Sequence, residues 1–120
     1  MKSYRSIIML AIIAAGTVIS SPALSELSAN DAIDRYRNND AMLYQYVLGL
    51  GSALSWANSE LAGSKRHPLF CIPVNVVLTV DQQIDILARH ITHTPANGEL
   101  PVGGVLLFAL QEAFPCPVSN

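Results

Sequence analysis

The chain has 120 residues, of which 51% are hydrophobic and only 13% charged, with seven Lys or Arg against nine Asp or Glu and a net charge of −2. A faintly acidic chain of this length folds as one small domain, which excludes multi-domain enzymes and dinucleotide-binding folds and makes nucleic acid an unsuitable partner. So few charges leave apolar surface uncovered, and part of it is expected to be an interface.

Residues 1–25 read as a signal peptide: Lys2 and Arg5 form a basic start, Ile7 to Ile19 carries no charge, and Ala23-Leu24-Ser25 supplies small residues for cleavage. Gly16, Thr17, Ser20, Ser21 and Pro22 interrupt the run, which favours removal over retention as an anchor, with no stable membrane insertion after cleavage. Residues 26–120 then form the mature domain, exported and, in a Gram-negative source, periplasmic. Without Lys2 and Arg5 this domain carries five basic against nine acidic side chains. No cysteine precedes Cys71, so a lipid-bearing N-terminal cysteine is excluded.

Ser28 or Asn30 caps a first helix that runs to about Arg37, where Asn38-Asn39 breaks it and Asp40 caps the next. Leu43, Val47, Leu50, Leu54, Ala57 and Leu61 then recur every three or four residues, one apolar stripe along a long helix closed by Gly63. Tyr44, Tyr46, Leu48 and Trp56 lie off that stripe, so the helix needs a second apolar surface, which either a buried central position or a homodimer interface supplies. Ser64-Lys65-Arg66-His67-Pro68 is a basic turn, and Pro68 and Pro73 keep Leu69 to Val77 out of a continuous helix. Thr79 with Gln82 is a capping-box signature for a helix to about His93, with Val80, Ile84, Leu87 and Ile91 on its inner face. Thr94 to Leu100 is a linker. Pro101 suits the first position of a last helix whose face is Val102, Val105, Leu106, Ala109, Leu110 and Ala113; Gly103-Gly104 permits close backbone approach and Pro115 stops it. No stretch alternates as a strand does, and the fold class is all-α, a small helical domain of about four helices with one disulfide.

That disulfide joins Cys71 and Cys116, the only cysteines, since an even count in a small exported domain reads as a bridge. Closing so long a loop stabilises by roughly 4 kcal/mol on the chain-entropy argument. The alternative, Cys71 as a nucleophile with a histidine base, lacks a surrounding signature. His90 and His93, with His67 as a remote third ligand, suggest a metal site. However, no carboxylate stands between them, and imidazoles that cap carbonyls at a helix C-terminus explain the spacing better. Asp81 and Asp85 lie in the first turns of their helix, where negative charge is favourable without any catalytic role. No constellation satisfies the requirements of an active site, so no catalytic residue, cofactor or metal is expected.

The order of segments carries a resemblance: an export leader, Tyr46-Val47-Leu48-Gly49 in a helix, Phe70-Cys71-Ile72-Pro73, the Thr79 to His93 helix, and a terminal Ala113-Phe114-Pro115-Cys116-Pro117. Over residues 40–118 the chain resembles the periplasmic immunity proteins of type VI secretion amidase effectors. Many relatives carry two further cysteines; here Leu43 stands at the later place and Tyr36 near the earlier. The resemblance implies a non-enzymatic, all-helical protein, commonly a homodimer, that binds a cognate peptidoglycan amidase and inhibits it by occluding a papain-like active-site cleft. The segment Ser64, Lys65, Arg66 and His67 through Leu69, with the adjoining end of the long helix, is the expected contact, because recognition falls on loops held by rigid elements; the alternative is a solvated turn. The rival reading is a small helical periplasmic acid-stress chaperone.

Overall fold

A computed structural model describes residues 26–118; the signal peptide expected over residues 1–25 lies outside them. Four helices follow in order: α1 (Ala29–Arg37), α2 (Ala41–Gly63), α3 (Val80–His93) and α4 (Val102–Ala113), with a 3-10 turn at Pro95–Glu99 before the last. Among the described residues there is no strand, only an isolated bridge between Ser28 and Pro101.

Local chemistry sets the helix starts. Ser28, rather than Asn30, caps α1 by accepting the Asp31 N–H at 3.1 Å. Asp40 caps α2 through the N–H groups of Met42 and Leu43. Thr79 and Gln82 close the capping box of α3 reciprocally, at 3.2 and 2.9 Å. Pro101 stands just before α4 rather than at its first helical position. The first N–H of that helix, on Val102, donates to the carbonyl of Leu27, and Gly103 N–H donates to the Glu26 carboxylate at 2.9 Å. A β-carbon at Gly103 would lie 2.6 Å from that carboxylate oxygen, so any larger residue there displaces the Glu26 side chain from its bond, whereas Gly104 faces open space. Only the first of the two glycines therefore serves a close approach.

Helix ends follow a different rule from the expected one. Gly63 is the last residue of α2 but does not take the left-handed conformation; Lys65 does, at φ 56°. Lys65 N–H donates to Ala62 C=O and Arg66 N–H to Leu61 C=O, the paired bonds of a Schellman motif with lysine in the place usual for glycine. Asn39 repeats the arrangement after α1, also at φ 56°.

The core collects Ala29, Ala32 and Ile33 of α1, Leu43 and Val47 of α2, Val80, Ile84, Ile86 and Leu87 of α3, and Val102, Val105, Leu106, Ala109 and Leu110 of α4. Phe70, from the segment between α2 and α3, is buried with them. The expected stripe of α2 is buried only as far as Gly51; Leu50, Leu54 and Leu61 are half-covered and Ala57 is exposed. Length explains this: the 23 residues of α2 span about 35 Å, while α3 and α4, with 14 and 12, reach only about 20 Å. The far half of α2 therefore outruns its neighbours. Ala113, at the end of α4, is likewise exposed rather than on the inner face.

Candidate functional site

Where α2 outruns the core, the chain turns back through Ser64, Lys65, Arg66 and His67, all exposed. Lys65 and Arg66 form no ion pair among the described residues, so this turn is a free basic tip on a predominantly acidic domain. Both of its ends are fixed. At the entry the Schellman bonds lock the backbone. At the exit, Asn58 of α2 holds the returning segment: its Oδ1 accepts the N–H groups of Leu69 at 2.6 Å and Phe70 at 3.2 Å, and its Nδ2 donates to Phe70 C=O at 2.9 Å.

Beyond Phe70 the disulfide takes over. Cys71 and Cys116 are bonded, with Cα atoms 4.9 Å apart and a separation of 45 in sequence. Cys71 N–H also donates to Phe114 C=O at 2.8 Å, so the C-terminal segment after α4 lies along the exit of the turn. A cysteine held this way is no nucleophile. The bridge expected from parity is present, and it anchors the same segment that Asn58 grips.

The histidines do something other than cap carbonyls. His90 and His93, on α3, both direct Nδ1 at the Glu112 carboxylate of α4, at 2.5 and 3.2 Å. The Nε2 of His90, itself 9% exposed, meets the side-chain amide of Asn97 in the 3-10 turn at 2.9 Å. With Asn97 donating there, His90 Nδ1–H donates to Glu112, and one imidazole ties together α3, α4 and the turn between them. The two imidazoles hold the Glu112 carboxyl below the usual carboxylate range, chiefly through the His90 hydrogen bond. His67 is exposed in the basic turn and is no part of this group. Among the described residues no set of three or more His, Cys, Asp or Glu is placed to hold a metal ion. The cluster is a strut between helices.

Asp81 also has a specific partner. Tyr36 of α1 donates its hydroxyl proton to Asp81 of α3 at 2.5 Å, and that bond, with the negative potential of Asp81 and Asp85, pushes the phenol up to about 12. Tyr46 of α2 donates to Glu26 and is raised by its own partial burial and by that carboxylate. These phenols pin α1 to α3 and the N-terminal segment to α2. Sequence reasoning missed Asn58, although a signal existed: Asn58 lies four residues after Leu54 and three before Leu61, on the inner stripe, where a poor helix former needs a structural reason.

A family model described as Rap1a immunity proteins matches residues 22–116, which takes in every element and side chain described above. No curated protein and no solved structure gives a significant match.

Proposed function

Because the chain belongs to the Rap1a immunity protein family, we propose that it is an exported immunity protein which binds a secreted peptidoglycan amidase of the type VI secretion system and inhibits it by filling the active-site cleft. The observation that carries this reading is the basic turn Ser64–His67, exposed at its tip and fixed at both ends by the Lys65 Schellman bonds, Asn58 and the Cys71–Cys116 bridge. A cleft is blocked best by a protrusion that is already ordered, because the entropy of ordering is not charged against binding. Ser64, Lys65, Arg66 and His67 are the contact residues of this reading. Lys65 and Arg66, which form no ion pair among the described residues, are the groups available to acidic or carbonyl-rich walls.

The same reading places the mature protein in the periplasm, where the disulfide forms, and gives it no catalysis of its own. In this reading it also pairs with a second copy of itself, which the exposed apolar side chains of α2 support: Met42, Tyr44, Leu48 and Trp56 all stand at least two-fifths exposed along one helix. The test is co-expression. The amidase encoded beside this gene, directed to the periplasm, lyses cells carrying an empty vector and spares cells that also carry this chain. Continued lysis despite abundant folded protein, with no binding between the two, contradicts the proposal. Suppression of aggregation in acid by the same preparation points to the chaperone reading instead.

A further inference from the structure

The exposed face of α2 borders a groove of about 310 Å³ whose walls include Leu48, Phe70, Ile72 and Val77, with the side chain of Gln83 at its base. Gln83 is 5% exposed, and its Oε1 is a buried acceptor that no donor among the described residues reaches. Its Nε2 makes one long donation, at 3.5 Å, to Leu78 C=O. A buried carbonyl without a partner is uncommon in a folded protein and calls for a donor from somewhere. Gly51 makes the room that this amide fills: a β-carbon on Gly51 would lie 2.2 Å from that Oε1, so the amide lies against the bare backbone of α2 at the edge of the groove. The terminal torsion of a glutamine is broad and soft, and the loosely held amide turns its oxygen toward an entering N–H.

An apolar groove with one unanswered acceptor fits an apolar ring that carries one donor. The chain itself exposes such a group. Trp56 is its only tryptophan, is 76% exposed, and has an indole N–H with no partner among the described residues. It lies on α2, the helix that also supplies Leu48 and Gly51 to the groove. Other aromatic side chains of this helix are less suited: Tyr46 is engaged with Glu26, and more than half of Tyr44 is already covered. Groove and ring on one protomer make a self-complementary pair, the arrangement that a two-fold dimer demands. We propose that Trp56 of a second copy of this chain enters the groove and donates its indole N–H to Gln83, each protomer completing the other's site. This rests on the dimer reading above and names the contact that makes it.

A sole tryptophan makes the test direct. Sedimentation velocity and tryptophan emission are followed on the same intact mature protein, diluted from high micromolar to nanomolar concentration. The expected result is dissociation accompanied, over the same range, by a red shift of emission as the indole returns to water. Trp56→Phe, which removes the donor at an exposed position, weakens self-association about tenfold or more and leaves the circular dichroism of the dilute monomer unchanged. A dimer whose emission stays that of a solvent-exposed indole overturns this assignment while the dimer reading stands. A protein that is monomeric at every concentration overturns both, and a blue shift that appears only on adding the amidase gives the groove to that partner and overturns the second-copy assignment.

Discussion

Asn58 grips Phe70 with both ends of one side-chain amide, accepting its N–H at 3.2 Å and donating to its C=O at 2.9 Å. A partly buried amide in the middle of a long helix thus substitutes for the strand partner that the chain after the basic turn lacks. Replacing Asn58 with Ala or Leu leaves the N–H groups of Leu69 and Phe70 and one carbonyl unanswered, and is expected to cost about 1–3 kcal/mol. Urea unfolding, with midpoint and slope both recorded, checks this. An unchanged midpoint means that water replaces the amide without loss.

Lys65 is the counterpart at the other end of the turn. A non-glycine residue at φ 56° carries a steric cost that glycine escapes, though glycine brings a larger entropy loss on folding. Lys65→Gly is therefore expected to stabilise by about 0.5–1 kcal/mol, and Lys65→Val to destabilise, as read by thermal or urea unfolding. The glycine variant also separates two roles, because it keeps the turn and removes the charge: stability rises while affinity for the amidase falls.

Glu112 gives the domain a defined acid limb. Its folded value is depressed by His90 and His93, so its contribution is fully present above the ordinary glutamate range and is lost as pH falls through the lower folded value. Glu112→Gln lacks that contribution. Wild type is expected to exceed the variant in stability near neutrality, and the difference to shrink as pH drops below about 4.3. Unfolding curves of both proteins across that interval decide it, and a difference independent of pH contradicts the clamp.

Tyr36 behaves in the opposite sense. Its neutral form is favoured by Asp81, which pushes it up to about 12, so the stabilisation is complete below the ordinary tyrosine value near 10 and fades as pH rises from there to the folded value. Ultraviolet titration of phenolate is expected to show a late-titrating tyrosine in the wild type. Asp81→Asn, which removes the charged acceptor, brings that titration earlier.

What the sequence made legible divides by range. The Asp40 cap, the Thr79–Gln82 box and the stop before Pro115 depend on residues within one turn of each other, and the structure has all of them where spacing put them. The Cys71–Cys116 pairing was readable because only one intramolecular pairing exists. Burial along α2 was not readable past Gly51, because it depends on how far α3 and α4 reach, which no local pattern of α2 encodes. The destination of His90 and His93 was equally hidden: Glu112 lies 22 and 19 residues away, and the i, i+3 spacing describes the pair but not what faces it. Lys65 escaped notice because a glycine two residues earlier satisfied the usual expectation for a helix end.

The central claim, that the basic turn fills the active-site cleft of an amidase, is tested most directly by steady-state inhibition of the purified effector on a soluble peptidoglycan fragment. Occlusion predicts competitive inhibition: the apparent KM rises with added protein, kcat is unchanged, and replacing Lys65, Arg66 and His67 together by Ala weakens inhibition while the domain stays folded. Inhibition that lowers kcat without raising KM, or that is as strong in the triple variant as in the wild type, contradicts it.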